Sequence, residues 1–200
     1  MLGATVASVE YRLAPEYPYP TPVEDCYSAL TRLARLPAVD PKPVAIGGGE
    51  LAAALAFVAR DRGEVSVAAQ LLVYPMLDDR SADRTDLDDN GHRLWARSSN
   101  RFGWDAYLGN ADRSVAVPAR CEDLSGLPPE WLGVGTLDLF HDEDLAYAER
   151  LKAAGVPCEL EIVPGAFHGF DVMVPKAQVS RSFFKSQCAL LREAFTPAAA

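Results

Sequence analysis

The chain has 200 residues, 49% hydrophobic and 9% aromatic, which is enough apolar material for one globular domain with a sizeable core. Nineteen Lys and Arg against 28 Asp and Glu leave a net charge of −9, which argues against nucleic acid or an anionic membrane as partner and favours a neutral small molecule. No run approaches the ~18 apolar residues that a membrane span needs.

Met1–Val9 is apolar but has no basic leader and runs straight into Glu10-Tyr11-Arg12, so it reads as a strand and not as a signal peptide. A core strand so near the first residue suggests further sequence upstream. Thr5–Tyr11 is rich in β-formers and closes at Arg12-Leu13-Ala14-Pro15. Thr21-Pro22-Val23-Glu24 combines a capping box with an early proline and predicts a helix with Val23, Cys26, Tyr27, Leu30 and Leu33 on its apolar face.

Val44–Ile46 predicts the central strand, followed by a tight turn at Gly47-Gly48-Gly49 and an alanine-rich helix over Leu51–Arg62 closed by Gly63. Val67–Tyr74 is almost continuously apolar, as expected for a parallel strand buried on both faces, and Pro75 stops it. Asp78–Asn100 is polar, with aspartates at 78, 79, 83, 86, 88 and 89, and is the least core-like part of the chain. Amphipathic sequence returns as a short helix over Asn100–Leu108.

Trp131–Gly135 predicts a strand, and Asp142-Glu143-Asp144 loads acid onto the first turn of the next helix, which Lys152 and Gly155 close. Cys158–Val163 is another strand, and after Pro175 a final helix of about 20 residues carries Phe183, Phe184, Cys188, Leu191 and Phe195 along one side. Strands alternating with helices imply an α/β class with a mainly parallel sheet flanked by helices, in a single domain over residues 1–200.

Asp138 follows one predicted strand and His168 another, and reactive groups in open α/β sheets gather beyond the carboxyl ends of the strands. A carboxylate bonded to one imidazole nitrogen holds the tautomer in which the other nitrogen is a base, so the two residues form a candidate catalytic pair. His141 and His92 read as solvated. Asp86-Leu87-Asp88-Asp89-Asn90-Gly91 resembles half a calcium loop, but the twelfth position, where a bidentate glutamate belongs, is Arg97. A solvated turn is the better reading, and no metal or cofactor is expected. Cys26, Cys121, Cys158 and Cys188 lie in apolar periodic stretches without C-x-x-C spacing and read as buried reduced thiols, which suggests a cytoplasmic setting.

The three glycines admit an anion-binding turn, a plain strand-to-helix turn, or a nucleophile elbow. Glu50 at the mouth disfavours an anion, and no serine follows. Four further stretches bear on the choice: Tyr11-Arg12-Leu13-Ala14-Pro15-Glu16, Tyr74-Pro75-Met76-Leu77-Asp78-Asp79, Gly135-Thr136-Leu137-Asp138-Leu139 and Phe167-His168-Gly169-Phe170. From about Val6 to Phe195 the chain resembles the hormone-sensitive-lipase group of α/β-hydrolases, carboxylesterases and lipases acting on short acyl esters. The resemblance implies that Asp138 is the triad acid and His168 the triad base.

Two departures accompany it. Gly47-Gly48-Gly49-Glu50 passes directly into the helix, as though roughly four residues carrying the serine were gone. The family's His-Gly-Gly motif, front strands and much of the cap have no counterpart in the sequence. The resemblance therefore implies an incomplete α/β-hydrolase fold and a chain that is inactive or nearly so. Ser28 falls on a predicted helix, and Ser98, Ser99 and Ser125 fall in loops without an elbow pattern. The other readings are a binding protein for a small ester or acyl ligand, an interaction protein that associates with itself through an exposed strand edge, and part of an active esterase.

Overall fold

The computed structural model describes residues 3–86 and 92–196. Among these, four strands form one parallel sheet in the order β1 (Val44–Gly48), β2 (Val67–Val73), β3 (Glu130–Gly135) and β4 (Cys158–Val163). Parallel strands require crossovers, and the crossover segments carry α2 (Glu50–Arg62), α3 (Arg97–Leu108), α4 (Arg113–Ala116) and α5 (His141–Ala153). The helix α1 (Thr21–Ala34) precedes the sheet, and α6 (Phe170–Met173) and α7 (Gln178–Ala194) follow it.

Side chains alternate across the sheet, so each strand feeds two layers. Leu72, Leu132 and Val134 join Val23, Leu30, Phe57, Tyr147 and Leu151 in a core beneath α1, α2 and α5. Leu71, Trp131 and Val163 pack on the opposite face against Phe170 and Phe183 from α6 and α7. This double burial explains why β2 reads as continuous apolar sequence. A smaller cluster of Trp104, Tyr107, Leu108, Ala116 and Val117 sits under α3 and α4.

Thr5–Tyr11 is not a strand. It is irregular, and Val6 is 87% exposed. Strand propensity has structural effect only where a neighbouring edge supplies the ladder, and among the described residues none lies beside this segment. The capping box at Thr21 does not form either: Thr21 already lies inside the helix, and the Glu24 N–H donates to the Pro20 carbonyl at 3.0 Å, leaving nothing for the threonine hydroxyl to cap. Glu24 instead receives the Arg62 guanidinium, with Nη1 at 3.0 Å.

α3 begins at Arg97, which places Ser98 and Ser99 on a helix and not in a loop. The final helix has 17 residues and starts three positions after Pro175, at Gln178. All four cysteines are free; Cys26 is buried as expected, whereas Cys121, Cys158 and Cys188 are only partly buried. Residues 87–91 of the calcium-like run lie outside the described residues.

The polar stretch after β2 is less solvated than its composition suggests, since Asp79, Ser81, Ala82 and Asn100 are buried. Asp79 lies fully enclosed between the guanidiniums of Arg113 and Arg120, the latter donating from Nη2 at 3.1 Å. Burial pushes its carboxyl pKa up, but the hydrogen bonds from Arg120 and Arg113 outweigh that and hold it below the usual value. Removing either side of such a group is unequal: the arginines reach water, whereas the aspartate cannot. Arg113→Ala combined with Arg120→Ala is expected to cost about 3 kcal/mol in urea unfolding, more than Asp79→Asn alone.

Candidate active site

Because all four strands run the same way, their carboxyl ends share one rim of the sheet. Three singled-out features open onto that rim: the glycines at the end of β1, Asp138 after β3 and His168 after β4. Tyr74, the residue after β2, lies between the first and second.

Asp138 and His168 meet. His168 Nδ1 lies 3.1 Å from Asp138 Oδ2 and 3.4 Å from Oδ1. The aspartate side chain is wholly buried, and its Oδ1 also accepts the Phe140 N–H at 3.1 Å, which fixes the carboxylate before the imidazole arrives. The imidazole keeps 20% of its side-chain surface exposed. Among the described residues no side chain bonds Nε2, so that nitrogen is free to take a proton from an approaching hydroxyl.

Three rings wall the imidazole, two of them edge-on: Tyr74 at 4.6 Å, Phe140 at 5.5 Å and the tilted Trp95 at 5.9 Å between centroids. Tyr74 adopts φ 38°, a left-handed conformation costly for an aromatic residue, and donates from its hydroxyl to Asp171 at 2.9 Å. That hydroxyl bond ties the end of β2 to α6, just beyond the loop that carries His168. Sequence reasoning gave Tyr74, Trp95, Phe140 and Asp171 no role; the Tyr74-Pro75 pair was the one signal pointing there.

The loops bearing the pair are laced together by main-chain bonds. Thr136 N–H donates to Val163 O at 3.0 Å, Leu137 N–H to Ala166 O at 2.9 Å, and Gly165 N–H to Thr136 Oγ1 at 2.9 Å. Gly135 allows this approach, because a Cβ there would lie 2.1 Å from the Ala166 carbonyl oxygen.

The strand expected to end at Ile46 runs on through Gly47 and Gly48, which pair with Leu71 and Leu72, so only Gly49 turns the chain into α2; the glycines are not joined to the pair by any hydrogen bond among the described residues. Gly48 has φ 154° and Gly49 precedes α2 as its N-terminal cap. With strand spacing of about 4.8 Å, the turn lies two strands, or about 10 Å, from the end of β3. Gly47, Gly48 and Gly49 open instead onto a groove of about 430 Å³ shared with Val6–Val9 and α1, in which neither Asp138 nor His168 takes part.

The carboxyl of Glu50 is sealed, although the residue as a whole is half-buried: Oε1 has no exposure, and burial raises its pKa to about 8 against the pull of the Tyr107 hydroxyl. A carboxyl held neutral beside the turn is no nucleophile. His141 pairs with Asp142 at 3.0 Å, and His92 is partly buried, so neither is simply solvated. No group of residues suited to holding a metal ion occurs among the described residues.

A protein family described as alpha/beta hydrolase fold matches residues 1–172. Esterase LipI of Mycobacterium tuberculosis is 36% identical over 179 residues, covering 84% of this chain and 56% of its own length. Among solved structures, esterase LipW from Mycobacterium marinum superposes with a TM-score of 0.85 at 38% identity, over 95% of this chain and 63% of that one. A bacterial heroin esterase superposes with a TM-score of 0.86 at 39% identity, over 94% and 63%. The chain thus spans less than two thirds of the length of each of these relatives.

Proposed function

The chain belongs to the α/β-hydrolase fold family, in its hormone-sensitive-lipase-like carboxylesterase group, and on that premise we propose that it keeps the acid–base half of an ester-hydrolysing site without the nucleophile, turning over esters slowly or not at all. In such a site a carboxylate orients the imidazole through one nitrogen, and the other nitrogen takes the proton of the attacking hydroxyl. The contact from His168 Nδ1 to Asp138 Oδ2, at 3.1 Å, with Nε2 left open, carries the reading.

Against turnover stands the turn itself. No serine occurs between Val44 and Arg62, and the residue that starts α2 is a half-buried glutamate with its Oε1 sealed. Loss of a serine nucleophile alone costs about a millionfold in kcat where it has been measured. With glycine at 47, 48 and 49, where β1 ends and passes into α2, no hydroxyl is supplied there for His168 to activate.

A fluorophosphonate probe is expected to label no serine of this chain. Hydrolysis of a short-chain p-nitrophenyl ester is expected to run at rates equal to within about twofold in the parent and in His168→Ala. A labelled serine, or a rate that collapses in the variant, would overturn the inactivity.

A second reading is a binding protein for a short acyl or ester ligand, supported by the rings of Tyr74, Trp95 and Phe140 around a part-exposed imidazole. It requires a ligand-dependent rise in melting temperature without turnover. Among the described residues no helix is long and apolar enough to cross a membrane. The four free thiols support a reducing, cytoplasmic setting.

A further inference from the structure

Asp144 shares the buried face of α5 with Tyr147, Ala148 and Leu151, which turns its carboxyl toward the sheet. The residue is 0% exposed, and neither carboxyl oxygen has a hydrogen-bond partner among the described residues. A sealed polar group without partners destabilises a fold that an apolar side chain would not, so packing alone does not account for a carboxyl here.

One residue links Asp144 to the acid–base pair. Asp138 Oδ1 accepts the Phe140 N–H at 3.1 Å, and the Phe140 carbonyl accepts the Asp144 N–H at 2.9 Å. The Phe140 ring meanwhile lies 5.5 Å from the imidazole of His168. The charges that bear on Asp144 are Glu143, Asp138 and Glu130, all of them acidic. On that face of the sheet β2 contributes Gln70, which is neutral and donates to Glu130, and β4 contributes Cys158, whose thiol burial pushes up to about 12. On α5 itself, Tyr147 has an unpartnered hydroxyl, Arg150 is turned to the Ala119 and Cys121 carbonyls, and Asp142 pairs with Arg84 and His141. Asp78, which bonds Glu143 through its N–H, pairs with Arg80. The imidazole of His168, across Asp138, is thus the group there that becomes positive when it takes up a proton.

We propose that Asp144 is a positioning residue that acts through Asp138 on His168. Protonated, it leaves the imidazole a free base facing one carboxylate; ionised, it strengthens the ring's hold on a proton and so withdraws that base. In a low-dielectric interior a second carboxylate behind Asp138 favours the imidazolium, and the imidazolium in turn favours ionised Asp144. Asp144 gives up one proton as pH rises, and a proton that the ring then holds comes from solvent. Burial keeps Asp144 protonated to higher pH than an ordinary aspartate, so the neutral form is the resting one. This role rests on the reading of Asp138 and His168 as an acid–base pair.

An NMR titration of the full chain from about pH 5 to about pH 10 tests it. The ring protons of His168 are assigned among the three histidines by their loss in His168→Ala, and the Asp144 carboxyl carbon is followed in isotope-labelled protein. In the parent the ring signals are expected to move in two steps, the upper one coinciding with titration of the Asp144 carboxyl. Asp144→Asn, which mimics the neutral carboxyl, is expected to lose the upper step, whereas Glu130→Gln keeps it. Asp138→Asn is expected to displace the lower step. A single step in the parent, an upper step out of register with the Asp144 carboxyl, or an upper step that survives in Asp144→Asn would overturn the proposal. The first two readouts need no variant at Asp144. A lower step indifferent to Asp138→Asn would instead sink the acid–base pair on which the proposal stands.

Discussion

Gly135→Ala is expected to lower stability by about 4 kcal/mol or more, or to leave no soluble protein. A methyl group at this last residue of β3 would stand 2.1 Å from the Ala166 carbonyl oxygen and 2.5 Å from its carbon. These are main-chain atoms, and they cannot rotate aside. The Ala166 carbonyl also accepts the Leu137 N–H at 2.9 Å, so displacing it breaks the lacing between the loop that carries Asp138 and the loop that carries His168. The same variant should therefore lose the Asp138–His168 contact, seen by NMR as a change in the His168 ring protons. Phe102→Ala is the control: the ring is 70% exposed on α3, and the expected change in urea midpoint corresponds to less than about 0.5 kcal/mol. A Gly135→Ala protein with the parent's midpoint would show that the two loops are not locked as the structure has them.

The second large effect is a melting temperature that rises as pH falls from about 8 to about 5.5, the reverse of ordinary acid denaturation. Burial raises the carboxyl pKa of Glu50, Glu130 and Glu143 to about 8 from 4.5. Asp144 is raised as well, first by burial and then by Glu143, Asp138 and Glu130; neither of its oxygens has a partner among the described residues. Each of these groups holds a proton in the folded chain where the unfolded chain has released it. Stability from that proton is fully present below the unfolded value and is lost as pH rises toward the folded one. Glu130 has partial relief from the Gln70 Nε2 donor at 2.5 Å, and Glu143 from the Leu77 and Asp78 N–H groups at 2.7 and 3.0 Å.

The gain ends at low pH, where carboxylates held down by partners take up protons. Arg12 holds Asp25 and Arg84 holds Asp86 at about 2, and Asp79 is lowered by its two arginines despite its burial. Asp144→Ala removes one of these four raised carboxyls. It is expected to raise stability near pH 8 by about 1–3 kcal/mol and to flatten the dependence above pH 5. A melting temperature that is flat or climbs between about pH 5.5 and 8 would contradict these burial assignments.

The regular elements were legible because their signals are local. β4 falls where predicted, over Cys158–Val163, and β2, β3, α2 and α5 begin or end within one or two residues of their predicted bounds. Glycine at 63 closes α2 in a left-handed conformation, φ 65°, as its position in the sequence implies. Misreadings fall where a local signal had a non-local competitor. Thr21-x-x-Glu24 has the pattern of a capping box, yet the turn before it starts the helix early and Arg62, 38 residues on, takes the glutamate. The aspartates after β2 look alike in composition, and two arginines more than 30 residues away bury one of them.

By itself the sequence determined the alternation of strands and helices, the family, and the two residues at strand ends that could meet as acid and base. It did so because periodicity, turn residues and family motifs are written in neighbouring positions. Tertiary structure alone decided that Asp138 and His168 lie 3.1 Å apart, that three rings enclose the imidazole, that Glu50 and Asp144 are sealed from water, and that Thr5–Tyr11 has no ladder. Those outcomes depend on which distant groups share a volume or an edge. Desolvation and strand pairing are properties of that shared space, so the same residues read singly carry no sign of them.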